Sequence, residues 1–267
     1  MIREIRIETI DQAMGLIKDQ ERNEKINRLR SAYFYRGMPN AAYRLETSLA
    51  RNCKQLQTSL EGPILSNFTK YASIEDPTLA QSIWKQMIVG QHHGLPTRLL
   101  DWTHSPLVAL HFALSEPNME NLSKRDCVIW RIDAHDVNRN LPERYQALLR
   151  ERDAFIFSVE QMKKLANSLE QYDQDMGDRS FVMLEPPSVD QRIMNQYAFF
   201  SVIPLGMHDI SGFLDTHTEK TCRYIIDKSV RWDLRDMLDQ FNISERIIYP
   251  GLDGLSKWIA RHYFVKE

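Results

Sequence analysis

Residues 2–8 intersperse isoleucine with charged residues, and Ile5 and Ile7 fall at the period of two expected of a short half-buried strand. Residues 10–29 then read as a helix with a strongly charged outer face. Ser31 to Arg36 is compact and aromatic through Ala32-Tyr33-Phe34-Tyr35, a strand that Gly37-Met38-Pro39-Asn40 ends. Helices are predicted over 55–72 and 77–91; in the second, Ile83, Trp84, Met87 and Ile88 recur at helical spacing, and Gly94 supplies a left-handed stop. Ser105-Pro106 reads as an N-cap with proline at the first helical position. The helix it opens, Leu107 to Leu114, is apolar nearly all round, which predicts burial.

From Cys127 onward the pattern shifts to short strands at Cys127–Ile132, Ala154–Phe157, Tyr197–Ile203 and Cys222–Ile226. A polar helical stretch at 160–172 and a loop holding Glu185-Pro186-Pro187 lie between them. The C-terminal part returns to helix. Ser229 is read as the cap of a segment with Val230, Leu234, Met237, Leu238 and Phe241 on one face, and Asp253 as the cap of the last, with Leu255, Ile259, Tyr263 and Phe264. Strands and helices do not alternate regularly and no linker interrupts them. The expected fold is therefore α+β: short mixed or antiparallel strands with N-terminal, central and C-terminal helices in one domain over residues 1–267.

Composition narrows the function classes. Apolar residues at 43% and charged residues at 26% of a 267-residue chain are those of a globular protein. A formal charge of −2 argues against a protein built to coat nucleic acid. Cys53, Cys127 and Cys222 are odd in number and far apart, so neither a disulfide framework nor a metal-ligand spacing is visible, and a cytoplasmic location is expected. The N-terminus lacks the apolar core of a signal peptide, no apolar run is long enough to span a bilayer, and no membrane partner is expected.

Candidate chemistry concentrates between Gln91 and Pro106, in Gln-His-His-Gly-Leu-Pro-Thr-Arg-Leu-Leu-Asp-Trp-Thr-His-Ser-Pro. Imidazoles, a guanidinium, a carboxylate, an indole and hydroxyls crowd one connection between helices, and each buried polar group needs a partner. His92 and His93 are neighbours on a helix and cannot share a face, and no further zinc ligands follow at a recognisable spacing, so no metal is expected. Thr97-Arg98-Leu99-Leu100-Asp101 holds a potential local Arg98–Asp101 pair, either fixing the loop or facing a ligand. His111, on a helix that reads as core, is expected to be an interior histidine. Arg36 ends an aromatic strand and can offer a fork of donors to a phosphate or carboxylate, with Gly37 permitting close backbone approach. Later, Arg192 and Gln196 sit in a polar stretch leading into an aromatic strand, where they can face one ligand or satisfy loop carbonyls. Glycine-rich phosphate loops, nucleophile elbows and zinc-protease helices are absent from the sequence.

Tyr35-Arg36-Gly37, the run from Gln91 to Thr103 and Ser105-Pro106-Leu107-Val108-Ala109-Leu110 closely resemble the FRG domain, a family named for its Phe/Tyr-Arg-Gly signature. The resemblance extends over about residues 30–260. It includes Gln191-Arg192-Ile193 with Gln196 and Phe199, where Tyr197-Ala198 replaces part of a Gln-Gln-Gly-x-Phe pattern. It also includes Glu245 to Leu255, where Gly251 stands for the aspartate of a Phe-Pro-Asp-Leu-Asp-Gly ending.

The order of these motifs is in turn similar to that of the ADP-ribosyltransferase fold, a split sheet, and this likeness implies a function. In that fold an arginine or histidine on an early strand holds NAD, a Thr/Ser-bearing strand feeds a helix carrying alanine and phenylalanine, and a late glutamate acts on the ribose. Arg36 fits the first place, Thr103 and Ser105 with Ala109 and Phe112 the second, and Glu245 the third. The likeness implies catalytic roles for Arg36, His93 and Glu245. It implies a pocket shaped by Arg36, Gly37, His93, Thr97, Arg98, Asp101, Thr103, Ser105, Arg192 and Gln196. NAD would be the substrate, with transfer to an unknown protein or nucleic-acid acceptor, or hydrolysis, as in a bacterial toxin, effector or phage-defence protein. Two other readings stand beside it: a non-catalytic module that binds a nucleotide or phosphoryl ligand, and a nucleic-acid-processing enzyme using histidine and Asp101 as acid and base.

Overall fold

The computed structural model describes residues 1–188 and 190–266. In chain order the strands are β1 (Arg3–Ile7), β2 (Arg22–Asn23), β3 (Arg28–Leu29), β4 (Tyr33–Met38), β5 (Leu99–Thr103), β6 (Cys127–Asp133), β7 (Phe157–Ser158), β8 (Val182–Glu185), β9 (Ala198–Val202) and β10 (Cys222–Ile226). All but the small β2–β3 hairpin join one eight-stranded sheet, ordered β1-β10-β6-β4-β5-β9-β8-β7. The outermost pairs, β1/β10 and β7/β8, are parallel and the rest antiparallel. This is an α+β fold, as the mixture of short strands and unevenly spaced helices predicts.

The sheet is nearly divided at its middle. β4 pairs with β6 over six positions and β5 with β9 over five, yet β4 and β5 meet only at Tyr35↔Thr103. Continuing that register would set Gly37 against Asp101; instead the two strands diverge there.

Helices cover both faces. They are α1 (Ile10–Lys18), α2 (Ser48–Cys53), α3 (Gln57–Ala72), α4 (Ile83–His92), α5 (Pro106–Ala113), α6 (Ala134–Asn138), α7 (Glu143–Glu151), α8 (Val159–Leu165), α9 (Leu169–Met176), α10 (Gln191–Gln196), α11 (Ile210–His217), α12 (Arg231–Gln240), α13 (Glu245–Ile248) and α14 (Leu252–His262). On one face a single core runs across both halves of the sheet, with Phe34, Leu100, Trp102 and Val128 meeting Phe213 and Leu214 of α11. The other face carries two separate cores. Tyr33, Tyr35 and Ile129 pack against α1, α5 and α12 on one half, and Leu99, Phe200 and Val202 pack against α4, α7 and α9 on the other. The alternation of side chains along β4 and β5 produces this arrangement.

Several elements differ from the sequence reading. The helix expected over 10–29 stops at Lys18, and residues 21–30 turn back on themselves. Asn27 takes a left-handed backbone (φ 51°), and Arg22 Nη1 donates to its carbonyl and side-chain oxygens, both at 2.9 Å. The expected strand at 154–157 is displaced to β7, and Glu185 belongs to β8 rather than to a loop. The helix at 160–172 is two helices, because Ser168 leaves α8 behind and caps α9 through Gln171 N at 3.2 Å. Ser229 and Asp253 do not cap helices; Val230 and Gly251 stand at those N-termini without side-chain capping bonds. No helix among the described residues is long and apolar enough to cross a membrane.

Candidate functional site

Ser105 accepts from Val108 N at 3.3 Å and Pro106 opens the first turn, so α5 leaves β5 abruptly and returns along β4. It lies so close that a Cβ on Gly37 would stand 1.8 Å from the Ala109 carbonyl oxygen. The helix backbone, and not a ligand, is what Gly37 lets approach. This packing holds the parted β4 and β5 open as a cleft of about 290 Å³, lined by Arg36, Gln91, Asp101, Phe112, Arg192 and Gln196, with Tyr35, Gly37, Trp102, Thr103 and Ala198 completing its wall.

Arg36 Nη1 bridges the gap, donating to the Asp101 carbonyl at 2.8 Å, with the Asp101 carboxylate 3.6 Å away. The guanidinium thus replaces the ladder hydrogen bond lost where the strands part. Its Nε is buried and without a partner among the described residues. Desolvation lowers the Arg36 pKa from its ordinary value against the opposing pull of Asp101, while the group remains cationic. The Asp101 side chain is 57% exposed, a carboxylate facing the opening. It is aimed by a relay: Thr97, itself buried, donates through Oγ1 to Gln91 Oε1 at 2.8 Å, and Gln91 Nε2 donates to Asp101 Oδ2 at 3.0 Å. Gln91, in the last turn of α4, carries a role that the sequence reading does not single out.

The far wall is α10. Thr103 Oγ1 donates to the Gln196 carbonyl at 2.8 Å and accepts from Ser105 N at 3.1 Å. Gln196 Nε2 reaches the Ile248 carbonyl of α13 at 3.3 Å, and Asn195 Nδ2 the Ile247 carbonyl at 2.6 Å. Thr103, Ser105 and Gln196 therefore fix the geometry of the cleft more than they offer free groups to it. Arg192 lies over the Tyr249 ring at 5.2 Å, and its Nε is buried and unpartnered among the described residues.

Four expectations are corrected. Arg98 does not pair with Asp101; its Nε donates to Glu61 Oε1 at 2.6 Å and its Nη1 to Asp173 Oδ1 at 2.7 Å, in the core beneath α3 and α9. Glu61 of α3 and Asp173 of α9 already take up the Arg98 charge, which leaves the guanidinium no part in the Asp101 site. His93 is exposed at the C-cap of α4 and touches the His92 ring edge-on, outside the cleft lining. His92 instead pairs with Asp190, the N-cap of α10, and burial lowers its pKa against that carboxylate. Among the described residues that line the cleft with Asp101 there is no histidine.

Glu245 is the fourth. It begins α13, behind the Tyr249 side of the site and outside the cleft lining, and both its oxygens are taken by Arg261 at 2.7 and 2.9 Å. Burial raises its pKa, but Arg261 outweighs that and holds the carboxyl below its ordinary value. His111, as expected, is interior: Arg235 Nη1 donates to its Nδ1 at 2.8 Å, which places the ring proton on Nε2. Among the described residues no group of three or more His, Cys, Asp or Glu side chains is placed to hold a metal ion.

Residues 31–122 match the family model of the FRG domain. That segment is similar to the FRG domain. The match contains β4, the Thr97–Gln91–Asp101 relay, Arg36 and α5, which is one side of the cleft and its floor. Arg192, Gln196 and Glu245 lie beyond it. No curated protein and no solved structure matches the chain.

Proposed function

We propose that the cleft binds NAD or a related nucleotide and that the protein breaks its nicotinamide–ribose bond, passing ADP-ribose to water or to a protein or nucleic-acid acceptor. The observation that supports this most is an arginine with an unsatisfied Nε beside a relay-held, half-exposed carboxylate, in a cleft walled by Phe112 and a second arginine. Arg36 and Arg192 suit a pyrophosphate. Phe112 suits a flat ring. Asp101, not Glu245, is then the carboxylate that acts on the sugar.

In this reading the C1′–N bond breaks and nicotinamide leaves with the bonding pair as a neutral base. Asp101 stabilises the positive charge developing on the ribosyl carbon. The acceptor oxygen forms the new bond to C1′ and its proton passes to solvent. Consumption of NAD in this manner would suit a toxin or phage-defence role. The test is nicotinamide release from NAD by wild type, Asp101→Asn and Glu245→Gln. The expected result is release by wild type, a loss of about a hundredfold or more in Asp101→Asn, and retention within severalfold in Glu245→Gln. Release unaffected by Asp101→Asn would overturn the assignment.

A second reading has its own support. Gln91 and Arg36 engage Asp101 and Arg261 engages Glu245, so every carboxylate assigned to the chemistry already has partners. That favours a module that binds the nucleotide without cleaving it and acts through a partner. NAD-dependent stabilisation without nicotinamide release would select it.

A further inference from the structure

A separate cavity of about 450 Å³ opens beside α2 and the segment 203–210, and it shares no lining residue with the Arg36 cleft. Its floor is apolar, since Leu45, Ile203, Met207 and Ile210 are buried members of the continuous core on that face of the sheet. Its rim is cationic. Arg51, Lys54 and His208 are exposed around it, and among the described residues neither Arg51 nor Lys54 makes an ion pair. Glu46, the acidic side chain of the lining, is paired with neither. Arg98 lies at the wall with its charge taken up by Glu61 and Asp173, so the available charge is that of the rim.

Lys54 also has an uncommon backbone, φ 52° and ψ −128°, in the turn that ends α2. Glycine adopts this conformation freely and an L side chain resists it. Holding a lysine there keeps an ammonium group at the rim at the expense of local strain.

We propose that this cavity binds a phosphate monoester carrying a flat or apolar body, of which a purine mononucleotide is representative. The phosphate would meet Arg51 and Lys54 through charge-assisted hydrogen bonds. The body would lie on the Leu45–Met207–Ile210 floor, with the amides of Gln55 and Gln57 at its polar edge. An apolar floor under a cationic rim discriminates for both parts of such a ligand: inorganic phosphate lacks the body and a nucleoside lacks the charge.

Calorimetric titration of the full chain with AMP, inorganic phosphate and adenosine tests this directly. AMP should bind at least tenfold more tightly than either fragment. Arg51→Ala combined with Lys54→Gly should weaken AMP at least tenfold, whereas the surface variant Lys25→Ala should leave it unchanged. Lys54→Gly alone should weaken AMP while raising the melting temperature, which separates lost contacts from a damaged fold. The proposal is overturned if AMP does not bind at millimolar concentration, or if the double variant binds it as wild type does, which would place the nucleotide elsewhere on the chain.

Discussion

Tyr197 holds a left-handed backbone, φ 48° and ψ 52°, at the C-cap of α10, with its ring 5.4 Å from His104 and 5.7 Å from Phe199. It occupies the place where the resembled pattern has glycine, and the conformation explains that glycine. Tyr197→Ala and Tyr197→Gly both remove the ring, but only glycine relieves the backbone, so the glycine variant should be the more stable by about 1 kcal/mol in denaturant titrations. His111 gives a pH dependence. Burial first, and the charge of Arg235 second, push its pKa down to about 3, below its value of about 6.5 in the unfolded chain. The unfolded state therefore binds the extra proton, and stability should fall as pH drops from about 6.5 toward 3, by on the order of 1.4 kcal/mol per unit. His111→Asn, which keeps an acceptor for Arg235, should flatten that slope when unfolding is measured at pH 7 and pH 5. At this scale Arg36, Asp101 and Arg192 are legible in the sequence because their chemistry is concentrated in short motifs. Arg98 is not, since its partners Glu61 and Asp173 lie far away in the chain. Glu245 misleads for the same reason: Arg261, which occupies it, comes from the following helix.

The decisive contact between elements is that of α5 with β4. Ala109 and Ala113 face Gly37 so closely that no side chain fits between them. Gly37→Ala should force the helix off the strand and cost about 1–3 kcal/mol or more, read as a lowered unfolding midpoint, and should weaken any cleft ligand in parallel. The Ser105-Pro106 pair makes α5 readable from the sequence, because cap and proline fix the helix start locally. β5 is not readable in this way: Leu99, Leu100, Trp102 and Thr103 are buried on both faces and only Asp101 is exposed, so no alternation marks the strand. The β2–β3 hairpin is hidden because its charged residues fit a solvated helix face as well as a turn.

For the whole molecule, α+β character follows from the pattern of short strands and uneven helices, but the division of the sheet does not. It arises from pairing between segments remote in sequence, with β4 held by β6 and β5 by β9 on either side of a single shared register position. Both of those partner strands lie beyond residues 31–122, so the FRG match supplies the centre of the sheet and depends on the rest of the chain to hold it together. The division in turn creates the cleft, parts the two cores of one face and leaves Arg36 and Asp101 at the opening. The most direct test of that site is titration of ADP-ribose, which cannot release nicotinamide, into wild type and Arg36→Ala, with the surface variant Lys25→Ala as a control. Saturable binding by wild type and Lys25→Ala, weakened at least tenfold in Arg36→Ala, is the predicted result. Equal affinity in all three proteins, or no binding to any, would contradict a nucleotide site at the parted strands.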